Sequence, residues 1–323
     1  MLRERLPTPE PPMVAVGLPA RGRPQTATRP TLAGMPELPE VETMCRGLAG
    51  IVGRRIGRVE FPRGPVRPLL VRPARPTISR WLAGAEIAAV SRRGKRVVLE
   101  LTAAACRSGS DAGRRWLVIE PRMTGLMLVV EPPSASHVRM VIKLEGASKP
   151  RQFLFWDRRG LGTISLLDQA GFDAACGPVK LGPDGLLITG DDLAARLGRS
   201  QRAVKAALLD QRAVAGIGNI YACEILFRAG IDPRARCRRL GRDAWERIAR
   251  EARRVLAEAV RLEGSSIGDE TYRTADSRPG RAQQRHRVYG REGEPCRSCG
   301  IAIERIVLAQ RATFFCRGCQ VRI

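Results

Sequence analysis

Apolar and polar residues alternate in short runs over the first half of the chain and take a helical period over the second. Ahead of the alternation, Val41, Met44, Leu48 and Ile51 fall near one face of a helix predicted over Glu40 to Val52, closed by Gly50 and Gly53. Short β-branched runs then predict strands at Ile56 to Phe61, Glu86 to Val90, Val97 to Leu101, Trp116 to Glu120, Leu126 to Val130, Val138 to Leu144, Phe153 to Trp156 and Gly162 to Leu167. In Val138 to Leu144 the alternation sets Val138, Met140, Ile142 and Leu144 on a buried face and Arg139 and Lys143 on a wet one. Many short strands of this kind predict a β-sandwich. From about Phe172 to Thr189 the chain turns to Gly, Pro and Asp and reads as a linker. Helices are expected at Asp191 to Gly198, Arg202 to Arg212, Ile220 to Arg228 and Arg242 to Leu262, with Ser200 and Asp243 as caps or first-turn residues. Residues Glu263 to Arg287 lack periodicity and read as a mobile loop.

Composition sharpens this picture. At 323 residues the chain is long enough for two domains, and 44% hydrophobic with 27% charged residues is globular. A formal charge of +24 points to a polyanionic partner, nucleic acid first, although an arginine-rich proteome also raises this number. No apolar run approaches the roughly 18 residues of a membrane span, and the start lacks the apolar core of a signal peptide, so no membrane partner and a cytoplasmic location are expected. Residues 1–34 carry seven prolines (7, 9, 11, 12, 19, 24 and 30) and read as a disordered extension or a mis-assigned start, with Met35 the expected initiator.

Five segments carry candidate chemistry. MPELPEVET, Met35 to Thr43, places a proline directly after a methionine; with that methionine removed, Pro36 has a free secondary amine able to attack a sugar aldehyde carbon. Within a peptide bond the same nitrogen is an inert amide. Cys296 and Cys299, then Cys316 and Cys319 after 16 residues, fit a closed four-cysteine zinc site of structural type, with a redox pair as the alternative. The remaining cysteines are scattered, which excludes a secreted disulfide framework. VAGIGNIYACE, Val214 to Glu224, sets glycines before a helix and is either a phosphate-binding helix start or a tight connection. Lys95 in RRGKRVVLE, Met123 in RMTG, and Glu37 and Glu40 also read as a solvated turn, a core methionine and surface glutamates when taken singly.

Together MPELPEVET, GIGNIYACE, VYGREGEPCRSCG and AQRATFFCRGC, in this order from Met35 to nearly the last residue, resemble the formamidopyrimidine-DNA glycosylase and endonuclease VIII family. The Leu38-Pro39 form of the first motif resembles the formamidopyrimidine branch. The resemblance implies a two-domain α+β fold: an N-terminal helix and β-sandwich (35–171), a linker (172–190), a helix-two-turn-helix domain with a lesion-capping loop within Ser265 to Gln284 (191–287), and a zinc finger (288–323). It implies a monomeric, nucleoid-associated enzyme that binds one structural zinc and removes oxidised purines from double-stranded DNA, with lyase activity at abasic sites. Pro36 is then the nucleophile, Glu37 the general acid, Lys95 an active-site and phosphate-backbone contact, and Asn219 and Arg311 phosphate ligands; Glu40 and Glu224 occupy family carboxylate positions. Met123, Arg159 and Leu161 fill and read the gap left by the flipped nucleotide.

Three departures qualify the match. Glu120 stands where a histidine is common and repels phosphate, Leu161 replaces a phenylalanine and loses aromatic stacking, and Gln201 replaces a lysine. These departures, with the internal position of Pro36, motivate a second reading as a non-catalytic lesion- or DNA-structure-binding paralogue. A zinc-ribbon protein of transcription or translation fits the charge and cysteines but leaves MPELPEVET unexplained.

Overall fold

The computed structural model describes residues 35–63, 67–103, 113–268 and 272–321, so the expectations for residues 1–34 lie outside the described residues. The chain opens with helix α1 (Leu38–Gly47), then strands β1 (Ile56–Glu60) and β2 (Leu70–Arg72), helix α2 (Arg75–Leu82), and strands β3 (Glu86–Arg93), β4 (Arg96–Thr102), β5 (Arg114–Glu120), β6 (Gly125–Leu128), β7 (Val138–Leu144), β8 (Gln152–Asp157) and β9 (Thr163–Leu167). A four-stranded sheet in the order β1-β7-β8-β6 faces a five-stranded sheet in the order β2-β9-β5-β4-β3. All neighbours are antiparallel except β2 and β9. Met140, Ile142, Phe153 and Phe155 from the first sheet and Val97, Leu99, Leu117 and Ile119 from the second form one core, joined by Val41, Met44 and Leu48 of α1. This is the β-sandwich that the alternation predicts.

The second half contains helices α3 (Gln169–Cys176), α4 (Gly190–Leu197), α5 (Val204–Leu208), α6 (Asn219–Ala229) and α7 (Arg242–Arg261), then strands β10 (Glu304–Leu308) and β11 (Arg311–Phe315), which pair antiparallel as a hairpin. The apolar stripe of α7 packs on α4 and α6, with Trp245, Ile248 and Leu256 fully buried, and the same core takes in Ile303, Phe314 and Cys316 from the C-terminal unit. Leu38 belongs to this helical core, whereas Val41 and Met44, one turn on, belong to the sandwich. Helix α1 therefore lies on the seam between the halves, and Met35, Pro36 and Glu37 just before it are held at that seam. No helix among the described residues is long and apolar enough to cross a membrane.

Four local expectations are corrected. The first part of the expected linker is helix α3, because Phe172 and Cys176, four residues apart, cover the outer face of the five-stranded sheet and Phe172 stacks on Trp116 at 5.1 Å. The helix expected over Arg202 to Arg212 is only α5, five residues long. Ser200 accepts a bond from the Arg202 N-H (3.2 Å) but caps no helix, and Asp243 sits in the first turn of α7 behind Gly241. Arg139, expected on a wet face, is buried: the register shifts between Val138 and Met140, and Arg139 donates to the carbonyls of Asp157 (2.8 Å) and Arg67 (3.1 Å).

Candidate active site at the sandwich-helix seam

The turn before α6 shows why this sequence needs its glycines. Gly216 has φ +99°, and a Cβ there would meet Leu38 at 2.5 Å; one on Gly218 would meet the Glu37 carboxyl carbon at 2.2 Å. The start of α1 is thus pressed onto GIGN, with the Leu38 N-H bonded to the Gly216 carbonyl at 3.0 Å. Glu37 then reaches the helix start: its carboxylate accepts the N-H of Ile220 (2.8 Å) and, more weakly, of Tyr221 (3.4 Å). Of the two readings of GIGN, the tight connection is the one observed. The group taken up at these two N-H groups is the protein's own Glu37 carboxyl.

Glu37 is 1% exposed, and burial pushes its carboxyl up from 4.5 to about 7 against the opposing pull of Lys95 and the two N-H groups. Lys95 is delivered by the two-residue Gly94-Lys95 turn between β3 and β4, where Gly94 has φ +57°. Desolvation lowers its ammonium below the usual lysine range, with Glu37 opposing. Arg92, on β3, fixes the seam by bonding Glu42 of α1 (2.9 Å) and, through both terminal nitrogens, Asp184 (2.7 and 3.1 Å).

A pocket of about 120 Å³ is lined by Met35, Glu37, Lys95, Met123, Asn219 and Arg311, together with Leu209, Gly218, Ile220 and Tyr289. Five of the site residues expected from sequence therefore meet in one cavity, immediately beside buried Pro36. Arg311 enters from the β10–β11 hairpin, whose two-residue turn Ala309-Gln310 holds both residues at positive φ (48° and 58°). Asn219 ties that hairpin to α6: its amide nitrogen donates to the Ala312 carbonyl (3.0 Å) and its oxygen accepts from the buried Lys205 ammonium.

Arg159 and Leu161 do not line the pocket. They sit on the turn after β8, and that turn is joined to the Met123 loop by Asp157, which sequence reasoning missed. This fully buried carboxylate accepts the Thr124 hydroxyl (2.5 Å) and the N-H groups of Arg159 (3.1 Å) and Gly162 (2.8 Å). Glu40 and Glu224 are also buried anchors. Glu40 accepts the Glu37 N-H (2.9 Å), the Tyr221 hydroxyl (2.6 Å) and the Ser265 N-H (2.7 Å), while Glu224 accepts the N-H groups of Arg287 (2.8 Å), Val288 (3.0 Å) and Tyr289 (2.8 Å). The segment expected to be a mobile loop is thus tied at its root, where Ser266 also bonds the Tyr272 carbonyl (2.7 Å) and the Gly280 N-H (2.9 Å). Glu120 does not stand as a bare negative charge: Arg122 (3.2 Å) and Arg96 (3.7 Å) flank it.

The sulfurs of Cys296, Cys299, Cys316 and Cys319 lie within 4.8 Å of one another, with Cys299 and Cys316 at 3.3 Å and Cys296 and Cys319 at 3.8 Å. Tetrahedral zinc with Zn–S bonds near 2.3 Å requires sulfurs roughly 3.8 Å apart, so this all-thiolate set fits one structural zinc ion.

Residues 35–164 match the family model of the formamidopyrimidine-DNA glycosylase N-terminal domain, 181–271 that of the formamidopyrimidine-DNA glycosylase H2TH domain, and 293–321 that of the zinc finger found in FPG and IleRS. The chain is 42% identical over 301 residues to formamidopyrimidine-DNA glycosylase of Chloroflexus aggregans, covering 90% of this chain and 100% of that protein. The chain belongs to the formamidopyrimidine-DNA glycosylase family. Among solved structures it resembles MutM (Fpg) from Thermus thermophilus (TM-score 0.73, 39% identity, 88% of this chain and 98% of that one). It also resembles Lactococcus lactis Fpg in complex with abasic-site DNA (TM-score 0.74, 29% identity, 88% and 99%). In this family member the α+β architecture, the cysteine cluster and the seam pocket occur together on one chain.

Proposed function

We propose that this protein is a base-excision-repair DNA glycosylase with abasic-site lyase activity, acting on oxidised purines such as 8-oxoguanine and formamidopyrimidines in duplex DNA. The observation that carries this reading is Glu37, a buried carboxyl poised near neutrality directly after Pro36 in a pocket shared with Lys95 and Arg311. The match of the first family model begins at Met35, and the active form starts at Pro36. Its amine titrates near pH ~8, so a useful fraction carries a free lone pair at neutrality.

That lone pair bonds to C1′ of the flipped nucleotide while the glycosidic bond breaks. The base leaves with the bonding electrons and takes the proton given up by the amine. Glu37 donates its proton to the ring oxygen, the C1′–O4′ bond opens, and an iminium ion remains on Pro36. Loss of the C2′ proton expels the 3′ phosphate by β-elimination, and δ-elimination then expels the 5′ phosphate. Lys95, Asn219 and Arg311 grip the backbone around the flipped nucleotide. Met123, Arg159 and Leu161 occupy the space it vacates.

The protein acts as a monomer on chromosomal DNA in the cytoplasm, with the sandwich (35–171), the helical unit (191–287) and the zinc finger (288–323) as its parts. Borohydride reduction of protein beginning at Pro36 with duplex containing 8-oxoguanine or an abasic site tests the mechanism. A covalent adduct through the N-terminal residue is the expected product; cleavage without such an adduct refutes the route through Pro36. Protein from cells that keeps residues 1–35, and that binds lesions without cutting, supports the non-catalytic reading instead.

A further inference from the structure

A second strongly basic surface lies at the opposite end of α6 from the pocket. Asn219 begins this helix at the pocket, and Arg228, its penultimate residue, follows nine residues later, about 14 Å along the axis. There, two adjoining hollows of about 600 and 400 Å³ share Arg228, Arg254 and Arg287. The larger one is completed by Arg261, Arg285 and Arg297. None of these residues lines the catalytic pocket.

Few carboxylates balance the six guanidiniums. Glu258 pairs with Arg228 (2.7 Å) and reaches Arg285 (4.0 Å), and Glu251, in the smaller hollow, pairs with Arg250 (3.3 Å). Arg254, Arg261, Arg287 and Arg297 have no carboxylate at salt-bridge distance among the described residues. Their mounts are rigid. Arg254 and Arg261 are two turns apart on one face of α7, whose other face is core. Arg287 follows the Glu224 anchor that takes its N-H, and Arg297 lies between two zinc ligands. Holding like charges together around a concavity costs stability unless an anion occupies it.

The walls also say which anion. A protein partner needs an apolar or aromatic anchor point, and here Phe227 is 8% exposed and the larger hollow offers only Ala257. Charge without apolar anchors suits a phosphate backbone, which guanidiniums engage through paired N-H donors. We propose that this basin binds the backbone of a second DNA segment while the cleft at the sandwich-helix seam, where the Glu37 pocket opens, holds the first, so that the protein can pass from one segment to another without dissociating. The proposal rests on the reading of the cleft as the lesion-binding site.

The test uses the protein beginning at Pro36, the form proposed to be active, and two short duplexes with different dyes. One, carrying a stable abasic analogue, is added to saturation to fill the cleft; the other, undamaged, is then titrated. A ternary complex is expected, and the double variant Arg254→Gln/Arg261→Gln should weaken capture of the second duplex about tenfold between roughly 50 and 200 mM salt. Its log-log salt slope should fall by about 1.8, at about 0.9 for each phosphate that is no longer neutralised. Excision on a single duplex should stay unchanged, and Arg254→Lys/Arg261→Lys should restore most of the capture. A filled cleft that takes no second duplex overturns the proposal, as does equal capture by the glutamine pair, or capture of polyglutamate in place of duplex. Should the abasic duplex bind no better than undamaged DNA, the cleft reading fails, while the response of undamaged-duplex binding to the glutamine pair still decides the basin.

Discussion

Glu37 and Asp157 are both carboxylates removed from water, yet the two sides of the site hold them in opposite ways. On the helical side, Glu37 accepts the Ile220 N-H and, at 3.4 Å, the Tyr221 N-H, and faces a cavity; burial outweighs these bonds and pushes its carboxyl up to about 7. On the sandwich side, Asp157 accepts one hydroxyl and two N-H groups at 2.5, 3.1 and 2.8 Å, and two loops hang from it. The same chemical group borders a cavity in one place and fastens two loops in the other. What differs is whether hydrogen bonds replace the water that burial removes.

The sharpest way to break this comparison is Glu37→Gln. We expect excision of intact lesions in single-turnover assays to fall by about 10²–10⁴, with binding of lesion duplex retained. The wild-type excision rate should decline on the alkaline side as Glu37 loses its proton near 7, and the variant should lack that limb. Stability gives an independent reading. The folded carboxyl titrates near 7 rather than 4.5, so the native state keeps a proton that the unfolded chain releases, and wild-type stability falls as pH rises across that window. Melting temperatures should therefore favour the variant more at pH 8 than at pH 4.5; equal differences at both would show that Glu37 is not held protonated by burial.

Cys316→Ser comes next. Loss of the fourth thiolate should release zinc, measured as bound metal per protein, and weaken lesion-duplex binding on the order of tenfold as Arg311 loses its mount, while the sandwich stays folded. Normal binding without metal would mean that the hairpin is held by Asn219 and the helical core alone.

For Asp157→Asn the expected signature differs in kind. An amide cannot accept on both sides, so we predict a loss of about 2–3 kcal/mol in stability and weaker discrimination between opposite bases, with borohydride trapping on abasic DNA little changed. A proportionate fall in every activity would place Asp157 with Glu37 and erase the contrast.

The smallest effect is expected at the hairpin turn. Ala309 holds φ 48°, a conformation costly for a residue with a Cβ, so Ala309→Gly should stabilise the hairpin by about 0.5–1 kcal/mol. Slower zinc loss to a chelator at unchanged excision would show it.

By itself the sequence determined the elements that rest on local order. Eight short β-branched, often alternating runs became strands, the stripe of α7 became a core face, two CxxC pairs became one cysteine cluster, and Pro36 lies beside the pocket that Glu37, Lys95, Met123, Asn219 and Arg311 help to line. Periodicity and fixed spacing are properties of neighbours, and neighbours are visible in a string of letters. Tertiary structure alone decided the rest. GIGN carries an anion-binding pattern, but the carboxyl of a glutamate 183 residues earlier in the chain takes up its N-H groups. Arg139 sits in a polar slot of an alternating strand, yet a shift in register and two distant carbonyls draw it inward. Asp157 becomes a hub through backbone N-H groups, which every residue except proline possesses and which therefore leave no mark in sequence. Burial sums over neighbours brought from distant parts of the chain, and that sum sets the acidity of Glu37 and gathers six scattered arginines around one hollow.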